Sequence, residues 1–361
     1  MNTTSPAVSH SRHPESPSQA ITDHFATLGR GRAAFAYRLP AEREIHLGKG
    51  PLRPFAQPGR CFVIAPFDPE REPVAVEPAV EYSLHVSGFR DPLHCTAFDP
   101  FSEKPDPHYL AAVSELVDRL RERSRTAPAK TVYSRTIALK ASLDVGSLFQ
   151  SLCSHYPEFY TFAWRMEDGR IWIGSSPELL LDASPRQIRS MALAGTHAAG
   201  NPEPWDAKNI EEQRIVTREI CRCFSEAGLT PQVDGPHVRN AGPVEHLCTD
   251  ITAQPDEAVD FRRLARSLSP TPALLGSPKD SALRDLQELE GYERDLYGGY
   301  SGPVTNGRTG SFFVTLRCLS YTPERKEITL YVGGGITASS DPADEWTETC
   351  RKSLSLLNLL R

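Results

Sequence analysis

The chain has 361 residues, 39% of them apolar and 24% charged, with a net charge of −6 at pH 7. Such a composition suits a globular protein with ample core, and interspersed charge without a basic block argues against nucleic acid as partner. No apolar run approaches the roughly 18 residues of a membrane span, so no membrane association is expected.

Residues 1–20 are rich in Ser, Pro, Thr and His and lack a charged segment followed by an apolar one. They read as a disordered leader, not a secretory signal. Residues 21–361 are expected to form a single catalytic domain. The eight cysteines contain no CxxC pair and read as reduced thiols of a cytoplasmic protein.

Residues 21–105 are Pro-rich, with short strands expected at runs such as Cys61–Ala65 and Tyr82–Val86. Tyr109, Ala112, Leu116 and Leu120 predict a helix over 107–124, and a strand follows over 130–139. Asp168-Gly169, flanked by Phe159–Trp164 and Ile171–Gly174, is a hairpin signal. A turn at Ser184-Pro185-Arg186 leads to a strand ending near Ala194-Gly195-Thr196. Helices are expected at 205–227, 257–268, 278–290 and 342–360, and strands at 311–320 and 326–333. Successive hairpins indicate antiparallel sheets, and the fold class is α+β.

Two patterns point to chemistry. The second of these strands runs into Gly333, Gly334 and Gly335, which allow close approach of backbone to an anion. Asp341 then reads as an N-cap with Pro342 at the first helical position. Glu345, Glu348 and Lys352 share one face of that helix. In the helix at 205–227, Glu212 extends the apolar ridge Val216, Ile220 and Phe224, and a buried carboxylate there needs a partner. A salt bridge would serve as that partner. Two carboxylate clusters beside a glycine-lined seat instead suggest a divalent cation next to a carboxylate substrate.

Ordered motifs over residues 107–361 resemble the chorismate-utilising enzymes: Lys130-Thr-Val-Tyr-Ser-Arg135, Ser176-Pro-Glu178, Leu193-Ala-Gly-Thr196, Lys208-Asn-Ile-Glu-Glu212, Val244-Glu-His246, Pro270-Thr-Pro-Ala-Leu274, Glu290-Gly-Tyr-Glu-Arg294, Arg317 and the glycine-rich C-terminal segment. The resemblance implies large antiparallel sheets packed together, with helices outside. It also implies a Mg²⁺-dependent isochorismate synthase acting on chorismate. Lys130 matches the lysine of members that add water, and Glu178 matches the general acid. Glu212 and Glu348 match the magnesium ligands, with Glu345 a ligand through water. Arg317 and Gly335 match positions that hold the enolpyruvyl carboxylate, and His246 a substrate-positioning histidine. Lys352 would neutralise the metal-bound carboxylate region. Ala194, Gly195, Thr196, Ala273, Leu274, Gly333 and Gly334 complete the substrate site.

Ala194 stands where lysine-nucleophile relatives carry lysine, and Ala273-Leu274 resembles the isochorismate synthase pair. Three departures stand out: Ser269 and Gln213 replace family histidines, and Asn209-Ile210 replaces a charged pair. Salicylate synthase and an inactive chorismate-binding paralogue are the alternatives. A monomer is expected, with a downstream isochorismate-consuming enzyme as its partner.

Overall fold

The computed structural model describes residues 16–26, 28–56, 59–86, 93–242, 244–255, 259–305 and 308–361. The chain opens with helix α1 (Pro17–Ala26) and strands β1 (Arg32–Arg38), β2 (Glu44–Pro54), β3 (Cys61–Ala65), β4 (Val74–Val76) and β5 (Val80–His85). Helix α2 (Pro107–Arg123) leads into β6 (Lys130–Lys140), and α3 (Val145–His155) into the hairpin of β7 (Tyr160–Arg165) and β8 (Ile171–Ser176). Next come β9 (Leu179–Ala183), β10 (Ile188–Ala198), the long helix α4 (Ala207–Glu226), β11 (Gln232–Asn240) and β12 (Val244–Ala253). Helix α5 (Phe261–Leu268), the short β13 (Gly276–Ser277) and α6 (Lys279–Leu289) follow. The chain closes with β14 (Tyr300–Val304), β15 (Gly310–Val314), β16 (Cys318–Thr322), β17 (Glu327–Ile336) and α7 (Pro342–Leu360).

Among the described residues every strand pairing is antiparallel. One sheet runs β5-β2-β1-β7-β8-β16-β17-β6-β13. The other runs β4-β3-β14-β15-β9-β10-β12-β11. The two are joined by β2, whose first part pairs with β1 and β5 while Leu52–Pro54 pairs with β4.

Side-chain alternation builds the layers. Phe35, Phe162, Trp164, Trp172 and Tyr331 of the first sheet share one core with Phe62, Ile64, Leu181 and Phe312 of the second. Rings stack across the gap, Phe35 on Phe62 at 4.5 Å and Tyr160 on Phe313 at 4.3 Å between centroids. Alternate neighbours such as Ala34, Ala36, Ala163, Ile171 and Ile173 face outward, in the core formed with Phe25, Phe149 and Leu357 of α1, α3 and α7. Helix α4 covers the second sheet through Val216, Ile220 and Phe224. Large antiparallel sheets packed together with helices outside are therefore the observed architecture. No helix among the described residues is long and apolar enough to cross a membrane.

Several expectations need correction. The expected leader lies outside the described residues as far as residue 15, but from Pro17 the chain is helical, with Ser18 and Ala20 buried. The strand expected over 311–320 is two strands, broken where Arg317 adopts a φ of 48°. The strand expected to stop at 333 continues to Ile336, because Gly333, Gly334 and Gly335 pair with Ser134, Tyr133 and Val132 of β6. Helix α5 begins at Phe261, where Asp260 accepts from the N–H groups of Arg262 and Arg263.

A buried ion pair fixes β6. Arg294 donates from Nε and Nη2 to the Glu290 carboxylate, both at 2.6 Å, and to the carbonyls of Leu274 and Val132. Glu290 in turn accepts from the Ser134 N–H at 2.7 Å. Replacing Arg294 with Leu strands a buried carboxylate and should cost about 3–5 kcal/mol in chemical denaturation. A loss below about 1 kcal/mol would remove the pair from its anchoring role.

Candidate active site

The glycines of β17 are strand residues whose missing side chains make room for charge. A Cβ at Gly335 would lie 2.3 Å from Glu212 Oε1, and one at Gly334 would lie 2.9 Å from Glu345 Oε2 and 3.4 Å from Glu348 Oε1. Helix α4 delivers Glu212 after its Asp206 cap, which accepts from the Asn209 N–H at 2.7 Å. Helix α7 delivers the other two after its Asp341 cap, with Pro342 at the first position. Two helix starts thus converge on one stretch of backbone.

Each carboxylate has its own lysine. Lys130, fully buried at the start of β6, donates to Glu212 Oε1 at 2.7 Å. Lys208 donates to Glu345 Oε1 at 2.6 Å, and Lys352 reaches Glu348 Oε1 at 2.7 Å and the Gly333 carbonyl at 3.0 Å. Burial opposes the charge on Glu212, but Lys130 and Lys208 outweigh it and hold the carboxyl below the usual range. Glu345 goes the other way: burial, then the charge of Glu348, push it up to about 7. Its buried Oε2 has no hydrogen-bond partner among the described residues. An orphaned carboxylate oxygen, two positions that a Cβ would fill and a donor set of hard oxygens fit a small divalent cation. The three carboxylates do not close within 4.8 Å of one another; among the described residues only His237, Cys248 and Asp250 do.

Glu178 and Arg317 line the same cavity as Glu212. Glu178 sits between β8 and β9, is 1% exposed, and accepts from Thr271 Oγ1 at 3.1 Å. Burial pushes its carboxyl up to about 8, against the pull of Thr271 and Lys130. Arg317 donates to the Ala241 carbonyl and, from Nη2, to His246 Nε2 at 2.8 Å. Burial pushes the guanidinium down to about 10, and among the described residues no carboxylate pairs with it. Since His246 accepts at Nε2, the network assigns its proton to Nδ1, which meets the Gly195 carbonyl at 3.0 Å. Burial, then Arg317, hold that ring well below its ordinary pKa, so it is neutral.

Ala194, Thr196, Ala273, Leu274, Gly333, Gly334, Gly335 and Lys352 also line the cavity. Lys130 and Glu348 stand directly behind Glu212 and Lys352, and Gly195 touches His246 through its carbonyl. Sequence reasoning did not single out Lys208, Thr271 or the cavity-lining Tyr297. Lys208 was within reach, being one helical turn before Glu212 on the same face. All eight cysteines are free thiols.

Similarity to known proteins decides the family. The family model for chorismate binding enzyme matches residues 90–361. The chain belongs to this family. It is 31% identical over 243 residues to isochorismate synthase EntC of Escherichia coli (strain K12), covering 64% of this chain and 62% of that protein, so the match spans about three fifths of the relative. It is 29% identical over 314 residues to the vibriobactin-specific isochorismate synthase of Vibrio cholerae, covering 82% and 78% of the two chains. The fold superposes on MenF, the menaquinone-specific isochorismate synthase of Escherichia coli, with a TM-score of 0.77 at 21% identity, covering 95% and 91% of the chains.

The positions expected to depart from the family pattern have distinct surroundings. Ser269 ends α5 and lies outside the cavity lining. Gln213 and Asn209, one turn apart on α4, grip the irregularity in β10 where the register with β12 skips between Ala194 and Thr196. Gln213 Oε1 accepts from the Ala194 N–H at 2.9 Å, and its Nε2 donates to the Ala192 carbonyl at 3.0 Å and Thr249 Oγ1 at 2.9 Å. Asn209 Oδ1 accepts from the Thr196 N–H at 2.8 Å. These bonds hold the Gly195 carbonyl where His246 meets it. Gln213→Leu leaves buried backbone groups unpaired and should cost about 2 kcal/mol or more by denaturation. A change within about 0.5 kcal/mol would mean that the irregularity holds itself.

Proposed function

We propose that this protein is an isochorismate synthase, converting chorismate to isochorismate with Mg²⁺ as cofactor. The observation that carries the reading is Glu178, a buried carboxylic acid in a cavity it shares with Arg317 and with Glu212, which is itself paired to Lys130.

Glu212 and Glu348, backed by Glu345, would hold Mg²⁺, which when bound neutralises and polarises the ring carboxylate of the substrate. Arg317, free of any described carboxylate, offers a guanidinium fork to the enolpyruvyl carboxylate, and Gly335 of the same cavity would add a backbone N–H. His246 fixes the direction of that fork by accepting from Nη2. Lys130 takes a proton from water as the water oxygen bonds to C2 and the ring double bonds shift. For this, its ion pair with Glu212 must open and its ammonium proton must pass to solvent, which leaves the neutral amine as the base. The C4–O bond breaks, and Glu178 gives its proton to the departing hydroxide. One water enters and one leaves, so the reaction is an isomerisation.

Chorismate and Mg²⁺ should yield an equilibrium mixture of chorismate and isochorismate, with at most slight pyruvate in a coupled dehydrogenase assay. Pyruvate release in step with chorismate loss would move the assignment to salicylate synthase. Full turnover in excess EDTA would exclude the metal.

Lys130→Ala and Glu178→Gln should each lower kcat by about 10²-fold or more with far smaller changes in KM. Glu178 keeps its proton below about 8, so a rate that depends on that proton is full at pH 7 and declines as pH rises through about 8. A wild-type profile level to pH 9 or beyond, or near-normal turnover by either variant, would remove the residue from its role.

A further inference from the structure

Outside the cavity, the strand pair β11–β12 carries a second group of ligand-type side chains that the proposed reaction does not use. Among the described pairings β11 bonds only to β12, which makes it the free edge of the second sheet. Its register skips between Asp234 and His237, and after the skip His237 stands opposite Cys248. Irregularities of this kind re-aim side chains. Here the His237 ring is brought to 3.7 Å from Asp250 Oδ2. Cys248 and Asp250 lie two residues apart on one strand and so project to the same face. One nitrogen, one sulfur and one oxygen lie within 4.8 Å of one another.

We propose that His237, Cys248 and Asp250 form a Zn²⁺-binding site at the edge of the second sheet, independent of the reaction assigned above. Imidazole, thiolate and carboxylate are the three zinc donors in proteins, and three of them leave a fourth tetrahedral position for water. The sulfur separates this site from the all-oxygen carboxylate group over Gly334, since thiolate selects soft or borderline ions and carboxylates select Mg²⁺. His237 is exposed and Asp250 partly so, which gives an ion its entry path, while Cys248 is buried beneath them. The Cys248 thiol is pushed up to about 11 by burial, against the pull of the neighbouring Arg239. Binding therefore releases the thiol proton to solvent as the S–Zn bond forms. Arg239 favours the thiolate but repels a dication, so the affinity is modest.

The test uses the full chain, stripped of metal and titrated with Co²⁺ as a spectroscopic substitute for Zn²⁺. The expected result is a near-ultraviolet thiolate-to-cobalt charge-transfer band that Zn²⁺ bleaches and that Cys248→Ser abolishes. Co²⁺ bound only by the carboxylates over Gly334 gives no such band, so the two sites are told apart. His237→Ala, a change at an exposed position, should raise the apparent Co²⁺ dissociation constant by about tenfold or more with the melting temperature unchanged. Absence of a sulfur band in the wild type, its persistence in Cys248→Ser, or unaltered affinity in His237→Ala would each overturn the site. Any of these would leave a surface ion pair above a core thiol.

Discussion

The backbone pairing of β6 with β17 is the constraint on which the site depends. Ten residue pairs, from Glu327 opposite Lys140 to Ile336 opposite Thr131, hold the strands in one register. Because side chains alternate with a period of two, a slip of one residue would turn Lys130 away from Glu212 and set side chains where helices α4 and α7 now approach. The Glu290–Arg294 pair reinforces that register by capturing both the Ser134 N–H and the Val132 carbonyl. The terminal glycines then let two helices bring charge almost into contact with a strand. A site formed this way is as rigid as the sheet beneath it.

Electrostatic balance is the second requirement. Glu212 and Glu345 are buried deeply enough that each charge would be costly alone. Lys130 and Lys208 offset that cost at Glu212, whereas at Glu345 burial and the charge of Glu348 prevail over Lys208. Glu178 is treated differently: its close partner is a neutral hydroxyl, and burial leaves it protonated. One cavity therefore contains carboxyl groups in opposite states, distinguished only by what stands next to them. Arg317 and Lys352 make the same cavity attractive to a dianion.

The sequence was most legible where local chemistry decides conformation. Helices α2, α4 and α7 begin beside Asp106, Asp206 and Asp341 as capping rules require, and Gly169 turns the hairpin with a φ of 83°. The strand expected over 326–333 stops short of Gly334 and Gly335, which are paired strand as well, because glycine carries no strand preference of its own. The break at Arg317 was invisible, since nothing in an arginine announces a positive φ. Strand β11 is exposed at nearly every residue and so lacks the alternation that marks a strand. Ordered motifs brought Lys130, Glu178, Glu212, His246 and Arg317 forward, whereas the pairings of Glu178 with Thr271 and of Arg317 with His246 are made only by the folded chain. The pairing of Lys208 with Glu345, 137 residues away, is of the same kind.

The passage of β2 from one sheet to the other bears on how the protein can be divided. The family match begins at residue 90, after all five of the first strands. A fragment cut there would keep every motif yet lose β1 from the side of β7 and β3 from the side of β14. Both sheets would then present an unpaired strand to water, one of them the aromatic-rich β7, a template for chain-to-chain association. The part of the molecule that carries no recognisable chemistry is the hem that keeps the rest from sticking to itself.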